Sequence, residues 1–325
     1  MPKITLTNDK SFDAQPGQTI LEAAQVAGLL LEHSCKTGRC GVCRAPMPDG
    51  ATSVIVPETA PEADAGHILT CCRAAQTDLT LDVEDLTALA GVEERTLPCR
   101  ISSIEQLSND MVQLWLRTPP ASKLTFVPGQ HLNLIAPGGL RRAYSIANAP
   151  REDGQICLLV RRVEGGQMSD VLFGKAKEND LFRLNGPLGT FHMREDGAER
   201  AIFLATGTGI APIRAMLQGM AGHGNGSDMT VYWGNRSAYD LVWPAEDFPG
   251  ATLIPVLSRA GEEGTGRRGY VQNAALEDGF DPACTTVYAC GAPEMIRDAR
   301  AHFITAGLPE RKFHSDAFVS SEDLA

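Results

Sequence analysis

Three thiols, Cys35, Cys40 and Cys43, stand in the run HSCKTGRCGVC at the spacing C-x4-C-x2-C. A fourth is offered downstream in L-T-C-C, where Cys71 and Cys72 adjoin and only one can easily turn to the same centre. Binding to a cationic metal deprotonates thiols outright, and four thiolates complete the tetrahedral sites of two irons. The C-x4-C-x2-C step is the plant-type 2Fe–2S spacing. Gly38 and Gly41 fit a loop that wraps a cluster, because bare backbone N–H groups then come near its sulfurs. A structural zinc site is the rival, although zinc usually takes two C-x2-C-like pairs.

The stretch ILTCCRAAQTDLTLDV resembles the closing segment of plant-type ferredoxin domains, in which one Cys follows an aliphatic pair and a Ser/Thr-Asp pair comes about seven residues later. Matching Thr77-Asp78 to that pair implies Cys71 as the fourth ligand and leaves Cys72 as a packed thiol.

The elements that must carry these thiols follow from the flanking sequence. Lys3 to Thr7 alternate as a half-buried strand, Asn8-Asp9 gives a turn, and a second short strand follows. Pro16-Gly17 leads into TILEAAQVAGLL, a helix with Thr19 as N-cap, Ile20, Ala24 and Ala27 on one face, and Gly28 as its stop. A hairpin, a helix, the cysteine loop and further strands ending in LTLDV read as the β-grasp arrangement of a ferredoxin, ending near Ala90 in a short polar connector. From about Leu97, short strands broken by turns at Ser108-Asn109-Asp110 and Pro128-Gly129 suggest a small antiparallel barrel. After Glu199, AIFLA, MTVYWG, TLIPVLS and TVYACG alternate with helical stretches, the pattern of an α/β domain on a parallel sheet.

A chain of 325 residues exceeds one ordinary core and predicts two or three domains. No apolar run approaches the roughly 20 residues of a membrane span, and MPKITLTNDK lacks the apolar core of a signal peptide, so the expectation is a cytoplasmic protein. Of nine cysteines, the five left by the cluster have no framework spacing, which favours reduced thiols. The net charge of −11 argues against nucleic acid as a partner. Residues 1–90 hold six Lys/Arg against twelve Asp/Glu. That acidic balance suits steering of a basic partner as well as plain solubility.

A second constellation lies beyond the cysteines. Gly207, Thr208, Gly209 and Pro212 form G-T-G-I-A-P between strand and helix, where a pyrophosphate can approach bare backbone at a helix N-terminus. Alone, this is equally a tight turn. With Arg142-Ala143-Tyr144-Ser145, then Gly165-Gly166-Gln167-Met168-Ser169, then Cys290-Gly291, it forms an ordered set: R-x-Y-S, G-G-x-x-S, G-T-G-x-x-P and C-G. In that order and spacing the set resembles the ferredoxin–NADP reductase superfamily. With a plant-type ferredoxin domain in front, the chain is similar to the NAD(P)H-dependent reductase components of ring-hydroxylating dioxygenases and to the CDP-6-deoxyglucoseen reductases.

The resemblance implies three domains: a β-grasp 2Fe–2S ferredoxin over residues 1–92, an antiparallel β-barrel FAD domain over 96–196, and a parallel-sheet α/β NAD(P)-binding domain over 197–325. It implies that Arg142 pairs with a flavin phosphate, that Tyr144 lies against the isoalloxazine, that Ser145 sets a hydroxyl near the reactive ring nitrogen, and that Ala143, as part of the same run, belongs to the cofactor-binding set. Gly166, Gln167, Met168 and Ser169 would open a helix onto the pyrophosphate. Thr208 and Cys290, beside Gly207, Gly209 and Gly291, would border the nicotinamide. Ser145, Cys290 and Tyr144 are the expected catalytic residues, and Phe318 is a candidate flavin shield. Read without the resemblance, Tyr144 is core, Ser145 a turn residue and Cys290 a buried thiol. Ala143 stands where many relatives have Pro.

Ser258-Arg259, with Arg268 and Tyr270, resembles the set that grips a 2′-phosphate, while most oxygenase reductases of this layout use NADH, so both nucleotides stay open. The expected activity is a two-to-one electron converter that moves electrons from NADH or NADPH through FAD to the 2Fe–2S cluster. The acceptor would be the oxygenase component of a Rieske-type system or another one-electron acceptor protein. A CDP-6-deoxyglucoseen reductase is the alternative, and a redox- or nucleotide-sensing module the third reading.

Overall fold

The computed structural model describes residues 1–59, 66–86, 89, 91–221, 228–259 and 266–318, and all strand and helix counts below refer to these. They divide into two compact units. One comprises Met1–Gly91, Gly189–Phe191 and Asp316–Ala325; the other comprises Val92–Leu188 and His192–Ser315. Of the connector expected around Ala90, residues 87, 88 and 90 lie outside the described residues.

In the first unit β1 (Lys3–Leu6) and β2 (Ser11–Asp13) form an antiparallel hairpin, with Asp9 at φ 64° closing the turn. Asp tolerates that left-handed conformation better than most residues. Helix α1 (Ile20–Val26) is started by Thr19, whose hydroxyl accepts the Glu22 N–H at 3.1 Å while the Glu22 carboxylate accepts the Thr19 N–H at 3.0 Å. This reciprocal capping satisfies two otherwise orphaned donors. Its buried residues are Ile20, Leu21, Ala23 and Ala24. Ala27, expected on that face, is instead the exposed C-cap: the helix ends at Val26, and Gly28 at φ 77°, the stop that the sequence offers, turns the chain away. After the cysteine loop come β3 (Arg44–Pro46), β4 (Thr52–Val54), β5 (His67–Leu69), β6 (Arg73–Ala75) and β7 (Leu79–Leu81). Strand β7 runs parallel to β1, with Ile4 opposite Leu79, and the pairs β3–β5 and β4–β6 are antiparallel. Ile4, Leu6, Phe12, Ile20, Leu21, Leu31 and Leu79 fill the core, each contributing about 1.5–3 kcal/mol relative to exposure.

The second unit begins with a six-stranded antiparallel sheet in the order β11-β10-β13-β8-β9-β12. Its strands are β8 (Arg95–Gln106), β9 (Met111–Arg117), β10 (His131–Ile135), β11 (Arg141–Ser145), β12 (Ile156–Arg161) and β13 (Leu181–Leu188). An antiparallel bridge between Ile146 and Leu158 joins the two edges and nearly closes the barrel. Helix α2 (Gln167–Gly174) covers it, sending Met168 and Leu172 into the core with Leu114, Leu132 and Leu184.

The rest is a sheet in the order β17-β16-β15-β14-β18-β19, built of β14 (Arg200–Thr206), β15 (Asp228–Asn235), β16 (Ala251–Leu257), β17 (Arg267–Arg268), β18 (Thr285–Gly291) and β19 (Phe313–Ala317). Strands β14 to β18 pair in parallel. The near-continuous apolar sequences of the central strands β14, β15 and β18 match burial on both faces. Helices α3 (Ile210–Met220), α4 (Val271–Glu277) and α5 (Pro293–Thr305) supply the crossovers. The chain leaves β14 toward β15 and later returns to β18 on its other side, so the strand order reverses there. A crevice outside the strand carboxyl ends at such a reversal is where ligands bind in open α/β sheets. No helix among the described residues is long and apolar enough to cross a membrane.

Candidate functional site

The four thiols converge two and two. Cys43 Sγ donates to Cys71 Sγ at 3.1 Å, and Cys40 donates to Cys35. The Thr37 and Cys40 amides each point at Cys35 Sγ at 3.4 Å. The Cys40 thiol and these amides, against the effect of burial, hold Cys35 down at about 4. Cys71 is lowered to about 7 by the Cys43 thiol, while Cys40 and Cys43 are pushed far up because each keeps its proton against a neighbouring sulfur. Each pair thus holds one readily lost proton and one tightly held proton, which a cationic centre would displace.

Among the described residues no group of three or more His, Cys, Asp or Glu has the geometry of a single metal-ion site. Two thiols for each of two irons is what a 2Fe–2S cluster requires, so the donor set fits a cluster better than one zinc ion. Cys72 lies 3.5 Å from Cys71 by their sulfurs and is fully buried, with burial raising it to about 12. Gly38, at φ 73°, has no room for a side chain: a Cβ there would stand 2.5 Å from the Pro57 carbonyl oxygen and 2.6 Å from Cys72 Sγ. The loop therefore needs this glycine for its close approach to Pro57 and Cys72.

In the barrel, β11 pairs with β10 so that Arg142 faces Leu134 and Tyr144 faces Leu132. Strand alternation sets Arg142 and Tyr144 on one face and Ala143 and Ser145 on the other. Tyr144 packs on the barrel core, and burial, partly offset by the Arg142 charge, raises its phenol above the ordinary range. Ser145 is buried, and Arg142 donates to the Arg141 carbonyl at 2.7 Å. Gly166 is the N-cap of α2 without a side-chain cap. The Ser169 hydroxyl accepts the Val163 N–H at 2.8 Å, and Met168 is core. What Gln167, Met168 and Ser169 offer an anion is therefore their backbone N–H groups at a helix start.

At the carboxyl ends of β14 and β18 the Gly207–Gly209 turn and Cys290-Gly291 are pressed together. A Cβ on Gly209 would collide with the Cys290 carbonyl, and one on Gly291, at φ 133°, with the Thr206 hydroxyl. Thr206 Oγ accepts the Ala292 N–H at 2.9 Å, and Trp233 Nε1 donates to the Gly207 carbonyl at 2.9 Å. Thr208 is half-buried, Cys290 fully buried, and Pro212 lies in the first turn of α3. A cradle of bare backbone at a helix start is what a dinucleotide pyrophosphate needs.

The β16–β17 register, Leu257 opposite Arg268, brings Ser258-Arg259 beside Arg268. Arg259, Arg268 and Tyr270 are exposed. Arg267 pairs with Glu277 at 3.0 Å and with Asp278. Phe318 is partly exposed after β19.

Two side chains at the crevice carry no motif signal. Arg161, at the end of β12, pairs with Asp110 at 3.1 Å and Asp240 at 3.0 Å, and a Cβ on Gly207 would lie 3.2 Å from its Nη1. Only the dibasic Arg161-Arg162 after an apolar strand hinted at it. Thr206, which pins Ala292, had no signal, since its partner is 86 residues away.

Family models match three stretches: the 2Fe-2S iron-sulfur cluster binding domain over residues 4–76, the oxidoreductase FAD-binding domain over 98–193 and the oxidoreductase NAD-binding domain over 203–301. The chain is 40% identical over 319 residues, covering 96% of both chains, to the CDP-6-deoxy-L-threo-D-glycero-4-hexulose-3-dehydrase reductase of Yersinia pestis. It is 30% identical over 321 residues, 95% of both, to the toluate 1,2-dioxygenase electron transfer component of Pseudomonas putida. Among solved structures, the Amycolatopsis cytochrome P450 reductase superposes with a TM-score of 0.72 at 28% identity, covering 99% of this chain and 100% of the other.

Proposed function

Because the chain belongs to the reductases that join a 2Fe–2S ferredoxin domain to FAD- and NAD-binding domains, and so is an NAD(P)H oxidoreductase, we propose that its electrons go to a separate protein, a CDP-6-deoxyhexulose 3-dehydrase. The observation that carries this choice is the 40% identity along 96% of both chains with the dehydrase reductase, against 30% with the toluate dioxygenase component. The oxygenase component expected from the motifs is the second reading, supported by that 30% relative and by the terephthalate 1,2-dioxygenase reductase of Comamonas at 29%. The domain division we propose is 1–92, 96–196 and 197–325.

When bound, FAD would accept one hydride, an electron pair, from the nicotinamide and release the two electrons singly to the cluster. The residues proposed to serve it are on β11 and α2. Arg142 presents a fixed fork of donors to a phosphate. Tyr144, kept neutral by burial, offers a flat apolar face, and the buried Ser145 brings a hydroxyl to the same strand end. The first-turn N–H groups of α2 hold the pyrophosphate. Gly207, Thr208, Gly209 and Pro212 receive the nicotinamide nucleotide, and the compact Cys290 and Gly291 leave room at its ring. Cys35, Cys40, Cys43 and Cys71 ligate the cluster. Arg259 and Arg268 offer two cations to a 2′-phosphate, with Ser258 and Tyr270 beside them.

Two measurements test these readings. Mixed with NAD(P)H and either a CDP-6-deoxyhexulose 3-dehydrase or a Rieske oxygenase, the holoprotein should oxidise nucleotide faster with the dehydrase; stimulation by the oxygenase alone selects the second reading. Arg259→Ala should lower kcat/KM for NADPH about tenfold and spare NADH, the loss of one charge-assisted contact. Unchanged discrimination removes Arg259 as a selector.

A further inference from the structure

The two residues that precede the first cluster ligand are held by more hydrogen bonds than a surface loop requires. The His33 N–H donates to Thr190 Oγ at 2.8 Å, and the same hydroxyl donates to the His33 carbonyl at 2.8 Å. The Thr190 N–H reaches that carbonyl at 3.2 Å. His33 Nδ1 lies 2.8 Å from the Leu31 carbonyl, an acceptor, so Nδ1 carries the proton. Ser34 Oγ donates to Asp316 Oδ1 at 2.7 Å. His33, Thr190 and Asp316 are 6%, 1% and 4% exposed.

All these residues belong to the first unit, which gathers Gly189–Phe191 and Asp316 around the start of the cysteine loop. Thr190 comes two residues after the end of barrel strand β13, and Asp316 lies within β19, two residues before Phe318. The segments that hold the cluster loop are thus continuous in sequence with the strands of the flavin barrel and the nucleotide sheet.

We propose that Ser34 and Asp316 are a positioning pair for the electron step into the cluster: their hydrogen bond fixes where the cysteine loop begins, and with it how readily the cluster held from Cys35 onward takes an electron. This rests on the NAD(P)H, FAD and cluster reading above. In the step concerned one electron leaves reduced FAD and enters the oxidised cluster, and neither Ser34 nor Asp316 makes or breaks a covalent bond. A hydroxyl-to-carboxylate bond is short and charge-assisted, stronger than a neutral one. His33 and Thr190 hold the backbone of the preceding residue, so the Ser34 bond can be removed while the loop stays tied. Ser34 is accordingly a positioning residue.

The experiment uses holoprotein, wild type, Ser34→Ala and Ser34→Thr, mixed anaerobically with whichever of NADH and NADPH reduces the wild-type flavin faster, in a stopped-flow spectrometer. Flavin bleaching and cluster bleaching are followed separately, and the electron paramagnetic resonance signal of the dithionite-reduced cluster is recorded for each variant. Ser34→Ala should keep the wild-type flavin step and the wild-type resonance signal while cluster reduction slows about tenfold, the scale of a lost charge-assisted hydrogen bond. Ser34→Thr, which restores the hydroxyl, should recover most of that rate. Unchanged cluster reduction in Ser34→Ala overturns the proposal. So does equal slowing of both steps, or an altered resonance signal, since either marks a general structural role. A wild-type cluster that NADH and NADPH both leave oxidised overturns the underlying reading instead, a result visible without any variant.

Discussion

The cysteine loop and the nucleotide crevice both depend on glycine, for different reasons. In the loop, Gly38 gives the chain a left-handed turn and a close pass by Pro57 and Cys72, and the chemistry is carried by side chains: four sulfurs in two pairs. At the crevice the chemistry depends on absent side chains, because Gly209 and Gly291 keep two backbone segments in contact at the ends of β14 and β18. A site made of side chains on one loop announces itself by spacing. A site made by backbone approach between distant segments is visible only once the sheet order is known.

The largest effect that would sharpen this contrast is at Gly291. Gly291→Ala meets both a left-handed φ of 133° and the Thr206 hydroxyl, so the variant should lose about 3 kcal/mol or more of stability. It should melt earlier and bind NADH poorly while its 2Fe–2S absorbance is retained. Next come the adjacent thiols. Cys71→Ala should abolish the cluster and cytochrome c reduction while leaving NADH-driven ferricyanide reduction, whereas Cys72→Ala should keep the cluster and cost about 1 kcal/mol for a small core deletion. Reversed results at these two positions would show that the fourth ligand had been misassigned.

The smallest effect concerns Asp278. The Tyr232 hydroxyl, donating at 2.7 Å, and then Arg267 hold its carboxyl below the ordinary carboxylate range. A depressed folded value contributes stability that is full above the unfolded value of about 3.9 and is lost as pH falls through the folded value. Tyr232→Phe should therefore raise the Asp278 titration toward the ordinary value and shrink the acid-side loss of stability, as followed by NMR titration of the carboxyl carbon. An unmoved titration would leave Arg267 as the main cause.

Much of this was legible in advance. The C-x4-C-x2-C step, the Thr19 cap and the alternation of apolar strands with Gly-rich turns report local geometry, and local geometry is written in neighbouring residues. Ala27 was misplaced because the residue next to the Gly28 stop is the helix cap and lies beyond the last packed turn. Met168 looked like a cofactor residue because it sits inside a motif, yet its side chain fills the barrel core, which leaves only its N–H to offer a ligand. Arg161, Thr206 and Asp316 escaped notice because their partners, Asp110 and Asp240, Ala292, and Ser34, are brought near by topology.

The central claim is that one polypeptide takes electrons from NAD(P)H into FAD and delivers them to its own iron pair. Anaerobic titration of the purified protein with NADH, read by optical and electron paramagnetic resonance spectroscopy beside iron and sulfide analysis, tests it most directly. The purified protein should hold two irons and two sulfides per chain, bleach its flavin, and show the resonance signal of a reduced 2Fe–2S cluster. Bound zinc without sulfide, or a bleached flavin with no cluster signal, would contradict it.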